Sequence, residues 1–215
     1  VQAALRRSGS SSWNVRVTDN TSDNALYVLA GSFAGTGNED SSRDLHASSG
    51  WGGNGYTEAR AAAPFSILYY LYDALHRLTQ VKPDLTLSDL EVRWSVNNSL
   101  AEGALVDGDL GSSFYNGRGA IYLLGKENSD TEEYDPFVIL HELGHFLQDT
   151  LSRDDSIGGS HNVRQFLDLR VAFSEGLGNA LAAALLDDPL YRDTGGNLQQ
   201  GTLAYFDIED NPTED

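Results

Sequence analysis

The chain has 215 residues, with 32 acidic residues against 14 Lys and Arg and a formal net charge of −18 at pH 7. A surface this acidic repels phosphate backbones, so we expect no nucleic-acid partner. The sequence contains no cysteine, which excludes disulfides and thiolate metal ligands. We see no uninterrupted run of about 18 apolar residues, and therefore predict no membrane span.

The N-terminal segment is rich in Ser, Gly and Asn. We treat residues 1–55 as a strand and loop segment that can belong to the same domain as the main unit, residues 56–215. Short strands are predicted at 15–17 and 25–29, followed by a loop. The chain begins without Met and shows no signal peptide. We therefore expect a fragment of a longer precursor.

The middle of the chain predicts one helix and a small sheet. Apolar residues at three- and four-residue spacing favour a helix over 57–78, capped by Thr57 and started or kinked by Pro64. The predicted apolar face consists of Phe65, Leu68, Tyr69, Tyr72, Leu75 and Leu78. Alternating residues favour a strand over 90–96, and a hairpin of two further strands spans 113–124.

The most informative stretch is His141-Glu142-Leu143-Gly144-His145. On a helix, residues four apart share a face, so His141 and His145 can present two imidazoles to one cation. Glu142 is offset by about 100°, close enough to act on a water molecule at that cation. This arrangement of two His and one Glu predicts a zinc site with Glu142 as general base.

The residues around the motif predict that its helix is buried. Asp135 is the expected N-cap and Pro136 the first helical residue. Apolar side chains surround the motif on nearly every side: Ile139, Leu140, Leu143, Phe146 and Leu147. Buried His and Glu side chains need partners, and one metal ion satisfies all three. A solvent-exposed helix that merely happens to carry these residues is the less favoured alternative.

A third metal ligand must come from further along the chain. Four residues can supply it: Asp154, Asp155, His161 and Glu175. Glu175 is the best candidate, because a lone carboxylate in the apolar helix predicted over 171–182 is costly unless it is paired or metal-bound. The alternative is a buried carboxylate paired with Arg164 or Arg170.

The residues around Glu175 carry two further signals. Gly176 and Gly178 weaken the helix, which makes sense if another helix backbone approaches closely there. Asn179 lies one helical turn after Glu175 and can hydrogen-bond a metal-ligating histidine.

Together, the motif and Ser174-Glu175-Gly176 resemble the gluzincin metallopeptidases, which include the thermolysin-like and aminopeptidase N-like families. The Glu-Gly pair is similar to the aminopeptidase N-like branch. The polar Asn179 is similar to the thermolysin-like branch, which has Asp there. The intervening segment, 146–174, is longer than in either family. The run from 134 to 194 also resembles uncharacterised secreted or lipid-anchored bacterial proteins with a predicted peptidase domain.

The resemblance implies an α+β, zincin-like fold, in which a small mixed sheet packs on an active-site helix and a second ligand-bearing helix. It implies zinc ligation by His141, His145 and Glu175, with Glu142 as the catalytic base. The related families stabilise the oxyanion with a Tyr or His. The candidates in this chain are His161, Tyr191 and Tyr205.

These signals predict zinc-dependent hydrolysis of peptide or protein substrates by a secreted, periplasmic or cell-surface bacterial protein. An edge strand beside the site can pair with the substrate, at Tyr115 or near Ile121. The alternatives are a non-catalytic surface-binding module with a structural or vestigial metal site and a zinc hydrolase of a non-peptide bond. Calcium is a second candidate cation, at the acidic loops 19–24, 107–109 and 187–188.

Overall fold

The computed structural model describes residues 1–32, 35, 37, 38, 40, 42–159, 165–196 and 201–210. It confirms a mixed architecture of helices and sheet, as predicted for an α+β chain. The helices are α1 (Ala63–Val81), α2 (Pro136–Leu151) and α3 (Leu169–Leu186).

The larger sheet is mixed. Its strands are β1 (Ala4–Arg7), β2 (Trp13–Asp19), β3 (Ala25–Leu26), β4 (Leu90–Trp94), β5 (Phe114–Tyr115) and β6 (Ala120–Leu123). They lie in the order β1-β2-β4-β6-β5, with β3 paired to β2. Strands β2, β4 and β6 are parallel, whereas β5 runs antiparallel to β6 at one edge. The strands and the hairpin predicted at 15–17, 90–96 and 113–124 are confirmed.

One face of this sheet forms the core with the helices. Alternate residues of the parallel strands point into it: Val15, Val17, Val92, Ile121 and Leu123. Because β2 pairs with β4, the N-terminal strands share this core with the strands of the main unit.

Helix α1 starts later than predicted. It begins at Ala63, with Pro64 in the first turn, where the missing N–H of proline costs no hydrogen bond. The predicted apolar face is partly wrong, because Tyr69 and Tyr72 are 64% and 45% exposed. The buried face instead runs through Ala63, Pro64, Ile67, Leu68, Leu71, Ala74, Leu75 and Thr79.

Helix α2 has the predicted start, with Asp135 at the N-cap and Pro136 in the first turn. The Asp135 side chain makes no capping hydrogen bond. It accepts instead from the backbone N–H and hydroxyl of Thr194, at 2.9 and 2.7 Å. The beginning of α2 is therefore tied to a strand that follows α3.

That strand belongs to a second, antiparallel sheet that the sequence did not predict. Its members are β7 (Gly125–Lys126), β8 (Asp130–Thr131), β9 (Leu190–Gly195) and β10 (Gly201–Asp207), in the order β10-β9-β8-β7. Strand β8 comes shortly before α2 and β9 shortly after α3. The sheet therefore links the start of α2 to the end of α3.

Helix α3 is long and apolar enough to cross a membrane, judged by length and composition alone, with a mean hydropathy of 1.2 over Leu169–Leu186. In this structure it packs against α2. The absence of a membrane span stays a prediction.

Candidate metal centre

Helices α2 and α3 approach each other at two glycines. A Cβ atom added to Gly144 would lie 2.9 Å from the Cα of Gly178, and one added to Gly178 would lie 3.0 Å from the His141 ring. The close approach predicted at Gly178 is confirmed. It is wrong for Gly176, where no heavy atom of the described residues would come within 4 Å of an added Cβ.

This approach brings the three predicted ligands together. The two Nε2 atoms of His141 and His145 are 3.0 Å apart. The Glu175 carboxylate lies 3.1 Å from His141 Nε2 and 3.5 Å from His145 Nε2. Ligands held tetrahedrally about 2.0–2.1 Å from a zinc ion are separated by about 3.3 Å. The three side chains therefore have the spacing that zinc ligation requires.

The far side of each imidazole has its own partner. His141 Nδ1 lies 2.8 Å from Asn179 Oδ1, which can only accept a hydrogen bond. His145 Nδ1 lies 3.1 Å from the Ser174 hydroxyl. Ser174 donates its own proton to Gln148 Oε1, at 2.8 Å, and so presents an acceptor to His145. Both rings therefore carry hydrogen on Nδ1.

These tautomers leave both Nε2 lone pairs facing one another and the Glu175 carboxylate. Such a group requires a proton or a cation at its centre. Burial opposes charge on His141, but Glu175, Glu142 and Asn179 outweigh it and raise the His141 pKa. Burial likewise opposes charge on Glu175, but His141 and His145, which donate to its carboxylate when their Nε2 atoms are protonated, hold its pKa well below the usual range. Both shifts show a preference for positive charge between the ligands.

Glu142 lies beside the ligands and is only 6% exposed. Burial raises the pKa of its carboxyl group, although His141 and His145 act in the opposite direction. The backbone N–H of Tyr115 also lowers the pKa of this carboxyl group. Glu142 thus lies on α2, the helix that carries both histidines and packs beside strand β5.

The structure identifies β5 as the edge strand beside this site. Of the two positions predicted to meet substrate, Tyr115 lies on β5, whereas Ile121 is fully buried on the inner strand β6. The Tyr115 hydroxyl donates to Asp149 on α2, at 2.6 Å. This bond anchors the edge strand to the helix that carries the motif.

Of the other candidate ligands, Asp154 and Asp155 lie outside the group. Asp154 accepts from the Gln148 side chain at 3.3 Å, so it ends the hydrogen-bond chain that starts at His145. Asp155 pairs with the exposed Arg153. Arg170, the alternative partner of Glu175, pairs with Asp168. His161 and Arg164 lie outside the described residues.

Tyr191, a candidate oxyanion donor, lies on β9. Its ring packs between Phe137 and Phe206, with centroids 4.9 and 4.7 Å away, and its side chain lowers the pKa of Asp193. Tyr205, on β10, is largely exposed.

Sequence reasoning missed Ser174 and Gln148, the residues that orient His145. Their positions in the sequence could have indicated this role. Gln148 follows His145 by three residues on the same helical face, and Ser174 directly precedes the candidate ligand Glu175.

Two of the acidic loops predicted to bind calcium contain carboxylates with protein partners. Asp19 accepts from the backbone and hydroxyl of Thr21, and Asp188 pairs with Arg192. None of the three loops forms a group of three ligating side chains within the described part of the chain. The described residues do hold one further such group, formed by Asp130, Glu132 and Asp193.

Comparison with protein-family models, curated proteins and solved structures finds no match for this chain. The function is therefore inferred from the side chains themselves.

Proposed function

We propose that this chain is a zinc-dependent peptidase of gluzincin-like type with a zincin-like fold. One observation carries the proposal: two imidazoles with hydrogen on Nδ1 direct their Nε2 atoms at each other and at Glu175, with spacings of 3.0–3.5 Å. His141, His145 and Glu175 would hold the zinc. When bound, the zinc would act as a Lewis acid on water and on the substrate carbonyl.

Glu142 is the proposed general base. Its carboxylate would take a proton from the attacking water and return it to the leaving amine. Burial raises its pKa towards the working range that such proton transfer needs. The backbone N–H of Tyr115 lowers that pKa in part and would help to orient the base.

Strand β5 supports a peptide as the substrate. It is the edge of the mixed sheet, and its backbone at Tyr115 contacts the proposed base. An extended peptide can add to such an edge through main-chain hydrogen bonds, which would place a peptide bond beside Glu142. The acidic surface and the absence of cysteine also support an exported bacterial protein.

Metal analysis and peptide cleavage test the proposal together. We expect about one zinc per purified chain, and cleavage of a peptide library. Glu142→Gln should keep the zinc and lose about 10²–10⁴-fold in activity, because only the base is removed. Glu175→Gln should lose zinc and activity, whereas Asp154→Asn should retain the metal and measurable activity.

Three results would contradict the proposal. A zinc-free protein that is unaffected by Glu175→Gln would exclude the metal site. Zinc binding without cleavage of any peptide in wild type would favour a non-catalytic module with a structural metal. Activity only on non-peptide bonds would favour a different zinc hydrolase.

A further inference from the structure

A second group of potential ligands lies on the smaller sheet. Carboxylate oxygens of Asp130, Glu132 and Asp193 lie within 4.8 Å of one another. Asp130 pairs with Gly195 in the antiparallel register of β8 and β9. Continuing that register by two residues places Glu132 opposite Asp193, and residues two apart share a face of the sheet. The register therefore brings three acidic side chains together.

Asp130 and Glu132 are buried, Asp193 is partly buried, and all three carboxylates are incompletely bonded. Asp130 and Glu132 are only 4% and 3% exposed. One oxygen of each of the three residues (Asp130 Oδ1, Glu132 Oε2 and Asp193 Oδ1) is buried with no hydrogen-bond donor among the described residues. The Thr131 N–H lowers the pKa of Asp130 and Tyr191 lowers that of Asp193, but neither effect offsets burial. Buried polar atoms without partners are rare and costly, so these oxygens indicate a missing ligand.

The group also lacks charge compensation. In the described part of the chain, none of its members forms an ion pair with Lys, Arg or His. The next residue, Glu133, is equally buried but pairs with Arg60 at 2.8 Å. Like charges facing each other across two strands are destabilising. Burial and neighbouring carboxylates raise the pKa of Asp130 to about 7 and of Asp193 to about 6.

We propose that Asp130, Glu132 and Asp193 bind a calcium ion at a site separate from the histidine centre. Calcium takes oxygen ligands at about 2.3–2.6 Å, which places two ligands up to about 5 Å apart. The spacing of these carboxylates lies within that limit. The group contains no imidazole or thiolate, the ligands that favour zinc and softer metals.

The ion would tie together the two segments that position α2 and α3. Asp130 and Glu132 lie shortly before α2, and Asp193 follows α3. The Asp135 to Thr194 hydrogen bonds join the same two segments a few residues away. Calcium would thereby stabilise the helix pair that carries His141 and Glu175.

Calcium titration of the full chain, by calorimetry and thermal unfolding, tests the site. At a calcium concentration 100-fold above the Kd, we expect the Tm to rise by about 5–10 °C. Glu132→Gln and Asp193→Asn should each weaken binding by at least about ten-fold, because each removes a charged ligand. Asp188→Asn, in an acidic loop outside the group, should bind calcium like wild type.

The direction in which Asp193→Asn changes the Tm, without and with calcium, distinguishes a cation site from a purely structural carboxylate. In calcium-free buffer, this variant should melt at or above the wild-type Tm, because it relieves repulsion. With saturating calcium it should melt below wild type. Asp193 is only partly buried, so this variant remains informative if Glu132→Gln does not fold.

His141→Ala distinguishes this proposal from the proposed zinc site, since it disables only the latter. It should retain the calcium-dependent rise in Tm. Absence of a calcium shift in wild type, an equal shift in Asp193→Asn and Glu132→Gln, or loss of the shift in His141→Ala would each overturn the proposal.

Discussion

The Ser174 hydroxyl on α3 lies 3.1 Å from Nδ1 of His145 on α2. Ser174 donates its proton to Gln148, so it can only accept from the imidazole. This bond turns the Nε2 atom of His145 towards His141 and Glu175. One hydroxyl thus determines which nitrogen of the second histidine is available to a metal.

Ser174→Ala should weaken zinc binding by about 10–100-fold, because His145 loses the acceptor that orients it. Competition with a zinc chelator measures the change. Ser174→Thr retains a hydroxyl and should recover most of the affinity. Equal affinity in the alanine variant and wild type would show that the bond does not orient the ligand.

Gly178→Ala should destabilise the fold by about 1–3 kcal/mol, because the new methyl group overpacks against the His141 ring. Urea unfolding measures the loss, and zinc affinity should fall with it. Gly176→Ala is the matched control on the same helix. With no heavy atom near its added Cβ, it should be neutral or gain up to about 1 kcal/mol from helix propensity.

Arg60→Met should cost about 3–5 kcal/mol, because it leaves the buried Glu133 without its counter-charge. The Arg60 guanidinium also lies over the rings of Tyr56 and Trp94, at 4.4 and 5.2 Å from their centroids. Denaturant unfolding of the double variant Arg60→Met, Glu133→Gln should recover part of the loss. If the single and double variants are equally unstable, ring packing rather than charge explains the cost.

Glu91 should contribute to stability in a pH-dependent way. Burial acts to raise its pKa, but hydrogen bonds from Arg16, Arg93 and Thr18 outweigh it and lower the pKa below the ordinary 4.5. A lowered carboxylate pKa stabilises the fold above the unfolded-state pKa, and that contribution disappears as the pH falls through the folded-state pKa.

The Tm difference between wild type and Glu91→Gln should therefore be largest above about pH 5 and shrink under more acidic conditions. Thermal unfolding from pH 7 to pH 3 measures it. Glu209→Gln, at an exposed position, serves as the surface control. A difference for Glu91→Gln that is constant across this range would contradict the role of the ionised carboxylate.

Secondary-structure elements and motifs that depend on residues close together in the chain could be predicted from the sequence. The spacing of His141, Glu142 and His145, together with Asp135 and Pro136, predicted helix α2 and its start. Alternation predicted β4, and two short runs on either side of the turn at 116–119 predicted the hairpin of β5 and β6. Periodicity was less reliable in α1, where the exposed Tyr69 and Tyr72 share the helix with equally apolar buried residues.

Contacts between residues that are distant in the chain could be identified only from the tertiary structure. The contact of Ser174 with His145, the position of β5 at the sheet edge and the facing of Glu132 with Asp193 all depend on helix crossing or strand register. These contacts are determined by packing between segments that are far apart in the chain. The local periodicity of the sequence therefore cannot predict them. The sequence thus specified the chemical groups, while tertiary packing selected Glu175 as the neighbour of the two histidines and left three carboxylates facing one another.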